Sequence, residues 1–109
     1  MSWLVRDGDV LATAEVAHTA RGRRRGLLGR DSHEGALVLR PCRHVHTAGM
    51  RFPIDVAFCD AEGVVLRTVT LAPWRLSPYV LRAAFVVEAE AGAFGRWRLQ
   101  PGDRLELRA

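Results

Sequence analysis

The stretch of sequence that decides the fold is HVHTAGMRFPIDVAF, residues 44–58. It opens with two histidines, reaches Gly49, and continues through Pro53 into an apolar run that encloses Asp55. Proline has no backbone N–H, so within a sheet it is found where a strand begins or at an edge. The stretch therefore predicts a bend or bulge at Gly49 and a strand over 52–60.

The strands on either side of this stretch follow from apolar runs and turn residues. Asp-Gly between two apolar runs, at residues 7–8, is a hairpin signal, and Asp60-Ala61-Glu62-Gly63 predicts a turn with Gly at positive φ. We predict further strands over 3–6, 10–17, 35–39, 64–71, 85–89 and 104–108. Short strands between frequent turns indicate a mainly β fold. We expect a compact antiparallel β-sandwich or partly closed barrel with one or two short helices, as a single domain over residues 1–109.

The composition is that of a folded globular protein. Of the 109 residues, 49% are hydrophobic and 26% are charged, which is ordinary for this class and excludes disorder. All 16 basic residues are Arg, and the net charge is +4. The first residues are charged from Arg6 onward, unlike a signal peptide. No window approaches the roughly 20 apolar residues of a membrane span, and we expect a cytoplasmic protein.

Two cysteines are too few for a disulfide framework. Cys42 follows Pro41 in a predicted loop, whereas Cys59 lies in an apolar run. We therefore expect Cys59 to be a small buried residue.

Residues 20–28 predict a short helix with Thr19 as its N-cap. The arginines of RGRRR, residues 21–25, cover more than half of its circumference and leave a narrow apolar stripe. Such a helix is either a solvated surface helix or a patch for an anionic partner. No aromatic residue interleaves these arginines, so we do not expect the partner to be a nucleic acid.

His44 and His46 are the first candidates for a site. On an extended chain, side chains two residues apart point to the same face. Two imidazoles are a usable metal pair, but a zinc site needs three or four ligands. The additional ligands would come from Asp55, Cys42, His33 or His18, none of which lies at a recognised motif spacing. We predict no cofactor, keep this pair as a weak metal candidate, and leave open a polar pocket lined by histidine.

Asp55 and the segment 72–79 are the other candidates. A carboxylate pointing into an apolar core must be paired; the alternatives are an ion pair with Arg, a turn-capping role, or general acid/base work. The segment 72–79, APWRLSPY, contains two prolines and carries Trp74, Arg75 and Tyr79. An ordered loop of this kind is either a binding element or a cover over the core.

Several segments in order resemble the domain-of-unknown-function family 192 (DUF192). They are Thr19 with Arg21, Gly26–Arg30, Gly35–Leu37, His46-Thr47, Met50–Val56, Pro73–Arg75 with Ser77-Pro78, Glu88 with Ala91-Gly92, and Pro101–Asp103. The resemblance covers about residues 10–109 and implies a compact, mostly β domain, but no reaction or ligand. Many members have Phe-Trp-Met-Lys-Asn where this chain has VHTAG, residues 45–49. A catalytic role that needs that lysine is therefore not expected here.

Three functions remain as hypotheses. The first is a small binding module for a polar or anionic ligand or a peptide, with the candidate ligand-binding residues His44, His46, Met50, Asp55, Trp74, Arg75, Arg21 and Arg82. The second is a metal-assisted enzyme that uses His44, His46 and Asp55. The third is an interaction subunit that docks through the Arg-rich helix 20–28. The partner is accordingly an unknown small ligand or protein.

Overall fold

The computed structural model describes residues 2–19, 22, 27 and 33–109. Within these residues the strands are β1 (Ser2–Arg6), β2 (Asp9–Ala17), β3 (Ala36–Leu39), β4 (Ile54–Cys59), β5 (Val65–Leu71), β6 (Phe85–Glu90) and β7 (Leu105–Arg108), and one short helix, α1 (Ala93–Trp97), follows β6. The predicted strands match these bounds to within two residues at each end. The expectation of a mainly β fold is confirmed.

The seven strands form one sheet with the order β5-β4-β6-β3-β2-β1-β7. Neighbouring strands are antiparallel except β2 and β3, which lie parallel with Ala14 opposite Ala36. A parallel neighbour requires a long crossover connection, and residues 18–35 provide it here. Periodicity within each strand predicted the strands but could not reveal this one parallel pairing.

The two edge strands of the sheet meet at one end. Val64, just before β5, forms a bridge with Arg104, just before β7. Val65 N–H donates to the Asp103 carbonyl at 2.8 Å, and Leu105 N–H donates to the Gly63 carbonyl at 2.9 Å. The sheet is therefore a curled half-barrel. Of the two architectures expected from the sequence, this is the partly closed barrel, because a single sheet curls until its edges touch.

The sheet is buried on both faces. All six residues of β4, IDVAFC, are buried, so alternate side chains enter two different cores. The first core receives side chains from all seven strands and from α1. The second core lies against β3, β4 and β6 and includes Val45, Met50 and Ala83 from outside the strands. Segments without regular secondary structure thus close the second face.

Cys59, at the end of β4, is fully buried in the first core. Burial, and after it the negative charge of Asp60, raise the pKa of the Cys59 thiol to about 12, against the positive charge of Arg40, which lowers it. The expectation that Cys59 is a small buried residue is confirmed.

The predicted helix over residues 20–28 lies outside the described residues, apart from Gly22 and Leu27. Thr19 Oγ1 accepts the Gly22 N–H at 2.9 Å, which is the contact expected of an N-cap. Leu27 is 1% exposed and packs in the second core. No helix among the described residues is long and apolar enough to cross a bilayer.

The closure of the half-barrel predicts a strict requirement for Gly63. Gly63 has φ +90°, and a Cβ there would collide with the Leu105 carbonyl oxygen of the opposite edge. We expect Gly63→Ala to lower the free energy of unfolding, measured in urea, by about 3 kcal/mol, because steric overlap adds to the cost of positive φ.

Gly102→Ala is the matched control. Gly102 has φ +96°, but no atom lies within 4 Å of the position of a Cβ. We expect this variant to lose only about 1 kcal/mol, the conformational cost alone. Equal losses in the two variants would show that contact between the edges is not what constrains Gly63.

Candidate functional site

The candidate site lies on two irregular segments, residues 41–50 and 72–83, which pair with each other and which we call the loop pair. His46 and Leu76 form an isolated antiparallel bridge. Hydrogen bonds flank it on both sides: Thr47 N–H to the Arg75 carbonyl at 2.8 Å and Ser77 N–H to the Val45 carbonyl at 2.9 Å. The loop pair is therefore an ordered ribbon that is separate from the strands of the sheet.

Thr47 joins the two halves of the loop pair and is completely buried. Its hydroxyl donates to the Ala72 carbonyl at 2.6 Å and accepts the Arg75 N–H at 2.8 Å. Its own carbonyl accepts N–H groups from Met50 and Trp74. One side chain and one peptide unit thus fix the turn that places Trp74 and Arg75.

The pairing decides which side chains face outward. In an antiparallel bridge the two opposite residues share a face, so His46 lies beside Leu76. Trp74, two residues before Leu76, lies in a bend with φ +64°. Val45 and Thr47 point the other way and are buried. Trp74, Leu76, Tyr79 and Leu81 are exposed by 69%, 78%, 60% and 73%, respectively.

His44 lies at one end of the loop pair against Tyr79. Their ring centroids are 5.6 Å apart, and the planes are tilted by 33°. A cleft of about 320 Å³ opens here, lined by Pro41, Cys42, Arg43, His44 and Tyr79. Arg43 Nε donates to the Leu81 carbonyl at 3.1 Å, which fixes the guanidinium at the border of the cleft.

The two segments of the loop pair and the residues next to them in sequence carry charges of one sign, although Arg40 lines a different cavity together with Glu62. Neither 35–54 nor 71–87 contains an Asp or Glu. Five arginines occur in the same ranges, and all of them are exposed: Arg40, Arg43, Arg51, Arg75 and Arg82. A surface of this kind attracts anions, and its field extends over roughly a Debye length.

Asp55 does not join this group. Its Oδ2 accepts N–H groups of Gly92 at 2.9 Å and Phe94 at 3.1 Å, at the start of α1. Its Oδ1 accepts the hydroxyl of Thr70 at 2.7 Å. Of the alternatives considered from the sequence, the structure gives Asp55 the capping role, since both carboxylate oxygens are used to connect β4, β5 and the first turn of α1.

The remaining candidates are dispersed. Met50 is 7% exposed and packs in the second core. Arg82 is exposed at the end of the loop pair, and Arg21 lies outside the described residues. The imidazole Nδ1 of His46 accepts the Ala48 N–H at 3.2 Å. Within residues 2–19, 22, 27 and 33–109, no group of three or more His, Cys, Asp or Glu could hold a metal ion.

Two important residues, Thr47 and Glu88, were not among the predicted site residues, although both lie in the segments that resemble DUF192. Thr47 looks like an ordinary polar residue beside two histidines, and only its contacts show its role. Glu88, on β6, is 4% exposed, and burial raises the pKa of its carboxyl to about 7. Its cross-strand neighbours, Leu37 and Val56, are apolar. A lone Glu in the apolar run FVVEA, residues 85–89, was the available signal.

Comparison with known proteins identifies relatives. A family model, DUF192, described as uncharacterized ACR, matches residues 3–107. A UPF0127 protein of Pyrococcus abyssi (strain GE5 / Orsay) is 34% identical over 62 residues, which are 57% of this chain and 53% of that protein. The matched part thus spans about half the length of that relative.

Two crystal structures share the fold. One, of a protein of unknown function from Novosphingobium aromaticivorans, superimposes with a TM-score of 0.82 at 21% identity and covers 96% of this chain and 82% of that one. The other, described as a candidate transcription regulator from Sinorhizobium meliloti, has a TM-score of 0.80 at 23% identity and covers 96% and 90%. At these identities the likeness concerns the fold alone.

The contacts of Thr47 predict that its hydroxyl stabilises the loop pair. Thr47→Val keeps the shape but leaves the Arg75 N–H and the Ala72 carbonyl without this partner. We expect a loss of about 2 kcal/mol in the free energy of unfolding. Thr70→Val is the control, because Thr70 is exposed and its hydroxyl makes one bond, to Asp55; we expect it to lose about 1 kcal/mol or less. An equal or smaller loss in Thr47→Val would contradict the role of Thr47.

The buried carboxyl of Glu88 predicts a pH-dependent stability. The folded pKa of about 7 lies above the ordinary glutamate value of 4.5, so the folded chain keeps a proton that the unfolded chain loses. Stability should be full below the unfolded pKa, fall as the pH rises toward the folded pKa, and level off above it. Glu88→Gln removes this fall and should be more stable than the original chain by roughly 3 kcal/mol at about pH 8.

Urea unfolding at about pH 5 and about pH 8 measures this difference. Glu106→Gln is the control, because Glu106 is exposed and paired with Arg108 at 2.8 Å, and it should leave the pH dependence in place. A flat stability of the original chain between these two pH values would refute the role of Glu88.

Proposed function

The chain belongs to the DUF192 family, and we propose that this member is a binding module that takes a small anion with a planar group in the cleft beside His44. The observation that carries the proposal is the composition of the cleft. A guanidinium and two rings in contact border it, and segments 35–54 and 71–87 contain no carboxylate. Anion binding at this place therefore meets no like charge from either segment.

The geometry of Arg43 supports this function. Its Nε is used by the Leu81 carbonyl, which orients the planar guanidinium. A carboxylate or phosphate is bound best by such an oriented fork, because two parallel N–H···O bonds form at once. Preorganisation matters because a flexible arginine would lose side-chain entropy on binding.

His44 and Tyr79 supply the apolar part of the recognition. Their rings contact each other at 5.6 Å between centroids, and the exposed Tyr79 offers a face on which a planar group can stack. The cleft volume of about 320 Å³ is at the lower end for a small-molecule site. Arg75 and Arg82 contribute to the positive field of the loop pair.

NMR titration of the whole chain with benzoate and with inorganic phosphate tests the proposal. We expect benzoate to shift the signals of Arg43, His44 and Tyr79 and to bind more tightly than phosphate, since only benzoate carries a planar group. Arg43→Ala should weaken benzoate binding by about tenfold, the effect of losing a hydrogen bond to a charged group.

Arg108→Ala serves as the control. Arg108 is an exposed arginine of β7 that pairs with Glu106, and its loss changes the net charge as much as the loss of Arg43 does. We expect unchanged benzoate affinity in this variant. Equal weakening of benzoate binding in both variants would show that the effect arises from net charge alone. Signal shifts confined to other residues would place the binding site elsewhere.

A further inference from the structure

Beyond the small-anion cleft, we propose that the loop pair docks on an anionic lipid surface. Trp74, Leu76 and Leu81 would enter the boundary between headgroups and acyl chains, while Arg75 and Arg82 contact the lipid phosphates. This docking does not require a small anion in the cleft, because it uses other side chains of the loop pair.

The exposed apolar side chains are the first observation. Trp74, Leu76 and Leu81 are exposed by 69%, 78% and 73%, although burying such side chains is favourable in proteins. Trp74 and Leu76 lie two residues apart, at the bend and at the bridge with His46, and both side chains are exposed. Three large exposed apolar side chains thus lie within eight residues of one short ribbon, whereas isolated exposed apolar residues are ordinary.

The ribbon is ordered before any partner arrives. Thr47 binds Ala72 and Arg75, and Ser77 Oγ accepts the Val45 N–H at 2.8 Å. Val45 and Met50 pack into the second core beneath. The outward side chains therefore stay outward, because the inward positions are already filled.

The charge of the surface selects among possible occupants. With three arginines and no carboxylate in the loop pair itself, two copies of this face would repel each other. The face is thus unsuited to self-association in spite of its apolar groups. An anionic surface is complementary to it, and a basic residue near an anionic membrane contributes about 1 kcal/mol.

The form of the patch favours a lipid surface over an acidic peptide. A peptide segment that docks through apolar side chains needs pockets to receive them, whereas here the apolar side chains themselves protrude from the ribbon. Trp and Tyr are enriched at membrane interfaces, where the amphipathic ring lies at the level of the headgroups. The combination of Trp74, Tyr79 and arginines is typical of an interfacial contact.

Another exposed apolar position provides the comparison. Val10, in the β1–β2 hairpin, is exposed by 59% but follows Asp7 and Asp9. These carboxylates would be repelled by anionic lipids. Val10→Ala is therefore the matched control for the loss of an exposed apolar side chain, as Arg108→Ala is for the loss of a guanidinium.

Co-sedimentation of the whole chain with vesicles tests the proposal. We expect binding to vesicles of phosphatidylcholine with phosphatidylglycerol, and much weaker binding to phosphatidylcholine alone. Arg75→Ala/Arg82→Ala should weaken the partition by about 30-fold, and Trp74→Ala/Leu76→Ala should reduce it strongly, while Val10→Ala and Arg108→Ala leave it nearly unchanged. The emission of tryptophan should shift to shorter wavelength on binding, and Trp74→Phe should abolish this shift while binding persists.

Other outcomes would overturn the proposal. Equal partition onto both kinds of vesicle would exclude an anionic lipid surface as the partner. Unchanged partition in Trp74→Ala/Leu76→Ala would exclude docking through the loop pair. Binding to poly-L-glutamate without binding to vesicles would identify an acidic peptide as the partner instead. All these variants keep Arg43 and His44, so titration with benzoate in the same proteins reports separately on the cleft.

Discussion

Burial of β4 on both faces is the constraint on which the rest of the structure depends. Each of its six side chains is inaccessible, so the strand requires cover on two sides. Curling the sheet supplies one side, since strands from both edges then surround the first core. The other side cannot be covered by the same sheet. It is covered by irregular chain, including the loop pair, and this is why an exposed ribbon with a fixed shape exists at all.

Much of this arrangement could be predicted because it is local in sequence. Strand ends follow from apolar runs and from Asp-Gly, Pro and Gly at the turns, and Gly63 marks a place where φ must be positive. The parallel pairing of β2 with β3 and the contact between β5 and β7 are different. Both join segments far apart in the chain, and no pattern within either segment encodes its partner. Two architectures are therefore compatible with the sequence, and tertiary pairing selects the half-barrel.

The candidate site was predictable in part for the same reason. Two prolines with Trp74 and Arg75 indicated an ordered surface loop, and the structure places this loop beside His44 and His46 through Thr47. Asp55 was a candidate for general acid/base work because it is a carboxylate within an apolar run. Its oxygens are used instead by Gly92, Phe94 and Thr70, two of which lie almost forty positions away. A polar residue in an apolar run indicates that its side chain needs hydrogen-bond partners, but the sequence does not identify those partners.

The unequal environments of the two thiols have a practical consequence. Cys59 is enclosed in the first core, and its raised pKa keeps it protonated at neutral pH, whereas Cys42 is only half-buried and lines the cleft beside His44. Alkylating reagents act on thiolates that they can reach. The folded chain therefore offers a single attachment point for a fluorophore or spin label, without engineering, at the border of the surface on which ligands are expected to arrive.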